Sequence, residues 1–325
     1  MSDDKVTTQP GGPLRALARE RIVHALVPAA VMVLALAAAH NANRVGLHMT
    51  EYNWIRARWH HCADVVLVGD SRIMCGLSPA AMKDHLPALR ILNYGLAGTA
   101  ISETVYDQAE EVLDPDSAHP VMVVGITPAG LAGGAAWGAG PTQDVRAELE
   151  RLGPLGERIE KLTWYFDPIS LRKIFRTVFG VKAAKSSYMH LHADGWQART
   201  TVPERPRRGL KEYVAVFREC TIQQKNIDLV LRRVRRWRAR GVRVYGLRPP
   251  TTVEMEALEN RLSGFDEQAF AEAFQAAGGI WLPMDSARYA SYDGSHLRYD
   301  SAEDFSRDIA RRIAADLGLP PGRQR

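Results

Sequence analysis

Cysteine is nearly missing from this chain: Cys62, Cys75 and Cys220 are all there is in 325 residues. So sparse and odd a set excludes a disulfide framework and a cysteine-rich zinc module. Cys75 reads as a small packing residue. Phosphate-cradling motifs are absent too. The glycine-rich run Gly133 to Gly140 has neither a Lys-Ser/Thr pair nor a strand–helix frame, which excludes a Walker loop and a dinucleotide fingerprint. His60-His61 and His190-x-His192 lack the spacing and carboxylate support of a zinc site, so neither metal nor cofactor is expected. No zinc finger, aromatic–basic RNA signature or basic coiled-coil region occurs, and a net charge of +5 does not demand nucleic acid. No internal repeat is evident.

Long apolar runs are scarce, with one exception. Ile22 to Ala39 contains no Lys, Arg, Asp or Glu and lies near the short limit for spanning a bilayer. Arg15, Arg19 and Arg21 precede it, and Arg44 is the nearest basic residue after it. That asymmetry predicts a single-pass anchor with residues 1–21 cytoplasmic and the main domain periplasmic or extracellular. A cleaved signal peptide, ending near Ala37-Ala38-Ala39, and a buried core helix are the alternatives. The long polar lead favours an uncleaved anchor. Residues 40–62 read as a connector, with Tyr52, Trp54, Ile55 and Trp59 at the membrane interface.

From residue 63 the pattern alternates. Asp64–Val68, Arg90–Asn93, Val121–Ile126, Val242–Leu247 and Ile280–Leu282 read as short apolar strands. Ser78–His85, Ser102–Leu113, Asn226–Arg240, Asp266–Ala277 and Ser301–Leu317 read as helices. Strands alternating with helices predict an α/β fold, a mostly parallel five-stranded sheet with helices on both faces, over residues 63–319 with a tail at 320–325. Residues 130–213 interrupt the alternation after the third strand. This insert shows helical patterns at Val145–Leu152, Leu155–Trp164 and Ser170–Phe179, then an irregular stretch from Lys182 to Arg208. It leaves the sheet on the rim where sites form, as a lid or substrate wall.

Two stretches on that rim carry chemistry. Gly69-Asp70-Ser71-Arg72 follows the first strand, and Asp293-Gly294-Ser295-His296 follows the fifth. Ser71, His296 and Asp293 are the residue types of a nucleophile, a base and the acid that orients it. Asp70 reads as a turn residue. Arg72 and Arg248, the latter at the end of the fourth strand, are candidate substrate contacts, with pairing to a carboxylate the alternative for Arg72. The arginines at 232, 233, 235, 236, 238 and 240 read as a solvated helix face opposite the Ile227–Trp237 stripe, with attraction to anionic lipid or acidic polysaccharide as the alternative.

These blocks resemble the SGNH or GDSL-like hydrolases. Val66-Leu67-Val68-Gly69-Asp70-Ser71 resembles the family's nucleophile block. Asn93-Tyr94-Gly95-Leu96-Ala97-Gly98-Thr99 resembles the block whose glycine amide, here Gly98, binds the oxyanion. Asp293-Gly294-Ser295-His296 resembles the acid–base block. The resemblance implies a flavodoxin-like three-layer sandwich and a Ser71-His296-Asp293 triad. The implied activity is acyl-ester hydrolysis or O-acyl transfer on an envelope glycan or other acyl ester, and the anchored layout is similar to that of envelope polysaccharide O-acetylation proteins. The family's Gly-x-Asn-Asp after the third strand is missing. Here that segment is Gly125-Ile126-Thr127-Pro128-Ala129, so an oxyanion asparagine is lacking and Thr127 is the candidate substitute. Arg72 stands where the family favours a small or apolar residue. A binding or assembly module that kept the fold without the activity is the alternative.

Overall fold

The computed structural model describes residues 24–35, 37, 38, 46, 47, 49–98, 101–132, 151, 153, 155, 156, 158, 159 and 186–320. Two compact units divide the chain: 1–45 with 152–182, and 46–151 with 183–325. In the first, residues 24–35, 37 and 38 are helical. Among the described residues no helix is long and apolar enough to cross a membrane. Positions 22, 23, 36 and 39 of the expected anchor lie outside them, as do residues 1–21.

The second unit is α/β. Among the described residues, strands β1 (Val65–Val68), β2 (Ile91–Asn93), β3 (Val121–Gly125), β6 (Arg243–Leu247) and β7 (Ile280–Trp281) form one sheet in the order β2-β1-β3-β6-β7. Every pairing is parallel, for instance Val65 with Ile91 and Val121, and Val123 with Tyr245. With the strands numbered along the chain this is the doubly wound order 2-1-3-4-5. The sheet is wholly rather than mostly parallel.

Pleating sorts the side chains onto two faces. Val66, Val68, Met122, Val124 and Val244 pack with residues of α4 (Glu103–Val112), α7 (Gln224–Ala239) and α9 (Glu267–Ala276), including Tyr106, Trp237 and Phe274. Val65, Leu67, Val121, Val123, Tyr245 and Leu247 face α10 (Tyr299–Asp316) and the short helices α2 (Ser71–Gly76) and α3 (Pro79–Met82). Double-sided burial explains why the strands read as continuous apolar runs.

Two expectations are overturned and a third holds in part. The connector belongs to the domain: α1 (Met49–Ala57) and the residues after it bury Tyr52, Trp54 and Trp59. Tyr52 donates to Gly195 O at 2.6 Å and Arg56 to Gly95 O at 2.7 Å. These rings serve packing, not a membrane interface. The stretch called irregular holds an antiparallel hairpin, β4 (Ser186–Leu191) and β5 (Gln197–Val202), turned through Asp194-Gly195. Gly195 has φ +90°, the conformation an Asp-Gly turn requires. On the arginine-rich face of α7, Arg232, Arg235, Arg236 and Arg240 are exposed as expected, and the exception is Arg233. Arg233 is buried against Glu103, Asp107 and Glu110, and Arg236 and Arg240 also reach Glu110.

After β3 comes the short helix α5 (Pro128–Ala132), the insert closes with α6 (Arg208–Glu219), and α8 (Val253–Ser263) follows β6. The expected helical patterns at 145–164 fall mostly outside the described residues, and those at 170–179 entirely. Residues 151, 153, 155, 156, 158 and 159 are helical.

Candidate active site

The site is built at the carboxyl ends of β1 and β3 and in the loop between β7 and α10. Asp70 ends the turn after β1 and caps α2, its Oδ1 accepting from Arg72 N at 2.9 Å. Ser71 is therefore the first helical residue. Its amide has no acceptor among the described residues, as expected for a helix start. Helix α2 can sit this close because the strand ends around it are glycine. A Cβ on Gly125 would come within 2.1 Å of Ile73 Cγ1, and one on Gly95 within 2.4 Å of the Met74 backbone N.

Ser71 Oγ lies 2.8 Å from His296 Nε2, and His296 Nδ1 lies 3.0 Å from Asp293 Oδ2. The other Asp293 oxygen accepts from the amides of Ser295, at 2.9 Å, and His296, at 2.8 Å. Burial raises the Asp293 pKa, but the hydrogen bond and charge of His296 and the two amides outweigh it, bringing the carboxyl down to about 2. Asp293 is thus an anion wherever a serine–histidine pair can work, and it fixes a proton on Nδ1, leaving Nε2 to accept from Ser71. The loop is held by Ser291, which donates to His296 O at 2.7 Å and accepts from Gly294 N at 2.9 Å. Tyr292 stacks parallel to the His296 ring at 6.0 Å.

The remaining expected site residues divide. Gly98 lies in the loop after β2, exposed, with φ +65° and no acceptor for its amide among the described residues. That loop runs beside the nucleophile turn, Leu96 N donating to Gly69 O at 2.9 Å. Thr127 is not a free donor: its hydroxyl is given to Asp70 Oδ2 at 2.6 Å and accepts from Gly130 N at 3.0 Å. Its place as an oxyanion donor is corrected to bracing Asp70. A cavity of about 10 Å³ lies beside this pair, lined by Gly69, Asp70, Ile101 and Thr127 among others. That is room for about one water.

Arg72 and Arg248 do not face substrate. Arg72, its side chain 1 % exposed, sends both terminal nitrogens to Glu259, at 3.1 and 2.6 Å, and Nε to Ser295 Oγ at 3.1 Å. Arg248 reaches the same Glu259 at 2.9 Å, Asn260 at 2.7 Å and Glu267 at 3.3 Å. Burial works against the Arg72 charge, but the Glu259 carboxylate outweighs it and keeps the guanidinium protonated. Two arginines and two glutamates balance within the cluster, the condition for burying charge at all.

Glu259 and Tyr213 were missed by sequence reasoning. Tyr213 Oη bonds Ser295 Oγ at 2.8 Å, and its ring lies 5.0 Å beneath the Arg72 guanidinium. Glu259 did leave a signal: with Met255 and Leu258 it forms the buried stripe of α8, a lone carboxylate on an apolar face. Cys75 is buried with its thiol pushed up to about 12 by desolvation, in keeping with a packing role.

Comparison with family models, with curated proteins and with solved structures found no match for this chain.

Proposed function

We propose that the protein is a serine acyl-ester hydrolase or O-acyltransferase of SGNH type. The observation that carries this is the unbroken hydrogen-bonded line from Ser71 Oγ through the His296 ring to Asp293, across 225 residues of sequence. Ser71 attacks an acyl carbonyl while Nε2 takes its proton, and the imidazolium is stabilised by Asp293. His296 then returns the proton to the leaving alcohol, and water or a sugar hydroxyl resolves the acyl-enzyme. The amides of Ser71 and Gly98 are the available oxyanion donors. No resident metal or cofactor enters this scheme.

We also assign the main domain to the outer side of a membrane, anchored through the N-terminal apolar segment. Leu26, Val27, Val31, Met32, Val33 and Leu34 are each half exposed or more, so the helix at 24–35 presents a broad exposed apolar surface. Such a surface suits lipid. The acyl acceptor or donor is then an envelope glycan.

A second reading, a binding module without turnover, is favoured by one observation. With Thr127 committed to Asp70 and a proline at 128, side-chain support for an oxyanion is missing from this rim among the described residues. Turnover of a small acetyl ester by the wild type and not by Ser71→Ala supports the enzyme. A folded wild type with no turnover above the variant, with or without added glycan acceptor, supports the module. Acceptor-dependent turnover separates transferase from hydrolase.

A further inference from the structure

The start of α6 carries a basic groove that the proposed acyl chemistry does not use. Arg205, Pro206, Arg207, Arg208 and Lys211 line an open surface groove of about 470 Å³. All four cations are exposed. Nearby carboxylates leave them largely uncompensated. Glu204 is taken by Arg298 at 3.1 Å, and Glu212 reaches only Arg208, at 3.4 Å. Among the described residues the side chains of Arg205, Arg207 and Lys211 have no hydrogen-bond or ion-pair partner. The contrast with α7 is plain, since the buried Arg233 there is matched by three acidic residues.

The groove is joined to the reacting loop. Arg205 N donates to Tyr292 O and Gly209 N to Asp293 O, each at 2.8 Å. A Cβ on Gly209 would stand 3.6 Å from Ser295 Cβ. The backbone that carries the cations is thus tied to the segment that orients His296. Like charges around a groove repel one another, and that repulsion is relieved when an anion enters. Arginine forks match carboxylate and phosphate oxygens equally well.

We infer that this groove holds an anionic stretch of the substrate chain, a carboxylate- or phosphate-bearing glycan, against the segment that packs on the Tyr292–Asp293 loop. Delivery of a sugar ester or hydroxyl to Ser71 rests on the acyl-ester proposal; the binding itself does not. The test uses the full chain in detergent with Ser71→Ala to prevent turnover. Fluorescence polarisation follows a labelled hexagalacturonate, a sugar-phosphate oligomer of equal length and a neutral hexagalactose. One anionic oligomer should bind at least about tenfold tighter than the neutral one, and should weaken with salt as Debye screening sets in. Adding Arg205→Ala, Arg207→Ala and Lys211→Ala should cost about tenfold or more with an unchanged melting curve. If that variant fails to fold, the three glutamine substitutions serve instead. The choice between the two anionic oligomers identifies carboxylate or phosphate. Equal affinity for the neutral oligomer, full affinity in the triple variant, or charge-dependent binding only to phosphatidylglycerol vesicles overturns the inference. Oligomer binding by a wild type that turns over no ester would sink the proposed enzyme and leave the groove standing.

Discussion

Arg72 and Ser295 are joined by a 3.1 Å hydrogen bond between Nε and Oγ, so the residue after the candidate nucleophile holds the residue before the candidate base. The two halves of the site are distant in sequence, and this contact reports their assembly as directly as the Ser71–His296 contact does. Glu259 completes the clamp from α8, Tyr213 from α6. The arrangement gives a buried arginine a structural task where an exposed one would have met substrate.

Glu259 should be the most sensitive position of that clamp. Glu259→Gln leaves two buried guanidiniums without their shared anion, a loss of about 3–5 kcal/mol by analogy with other broken buried pairs. Urea unfolding measures it. Arg72→Met combined with Glu259→Gln should cost less than the sum of the two singly, because each has already removed the partner of the other. Additive losses would show that the pair does not act together.

Thr127 separates two roles by size of effect. As a brace for Asp70 its hydroxyl contributes roughly 1.5–3 kcal/mol to stability, and Thr127→Val should lower the unfolding free energy while reducing ester turnover only modestly. An oxyanion donor in its place would cost ~10²–10³ in turnover. Steady-state kinetics beside urea melts decide between them.

Asp293→Asn should keep the fold and lose turnover by about 10⁴, since the amide no longer fixes the tautomer in which Nε2 accepts the serine proton. Single-turnover ester assays near neutral pH read this. Retention of wild-type turnover would remove Asp293 from the mechanism.

Asp64 predicts how the fold responds to acid. Its carboxyl accepts from the Arg90 guanidinium and amide and from Ser117, and the Arg90 bond is the main reason its pKa falls from 3.8 to about 2. The folded value lies below the unfolded one. The stabilisation is therefore complete above about pH 4 and disappears as pH falls through 2. Arg90 is half exposed, so screening reduces the effect to about 1–2 kcal/mol. Wild type and Asp64→Asn, compared by urea unfolding at pH 6 and at pH 2, should differ at the first and converge at the second.

The sheet was legible because burial on both faces writes itself as unbroken apolar runs, and Val65–Val68 and Val121–Gly125 fall where those runs do. Ser71 was legible because it follows the end of β1, and Asp293 with His296 because they lie on the connection that leaves β7, which the doubly wound order brings to the same rim. Partner choice was not legible. Whether Arg72 meets a substrate or Glu259 depends on where α8 docks, and α8 itself was overlooked although Thr252 caps it and Gly264 ends it. The hairpin at 186–202 was hidden because exposed strands carry mixed polarity. The acidic match to the arginines of α7 lies on α4, more than a hundred residues earlier in the chain.

The most direct test of the site is covalent labelling with a fluorophosphonate, followed by mass mapping of the adduct. Attack by an activated serine at the rim of the sheet predicts stoichiometric modification of wild type at Ser71, none in Ser71→Ala and strongly slowed labelling in His296→Ala. Folded wild-type protein that stays unlabelled, or an adduct mapped to another residue, would contradict it.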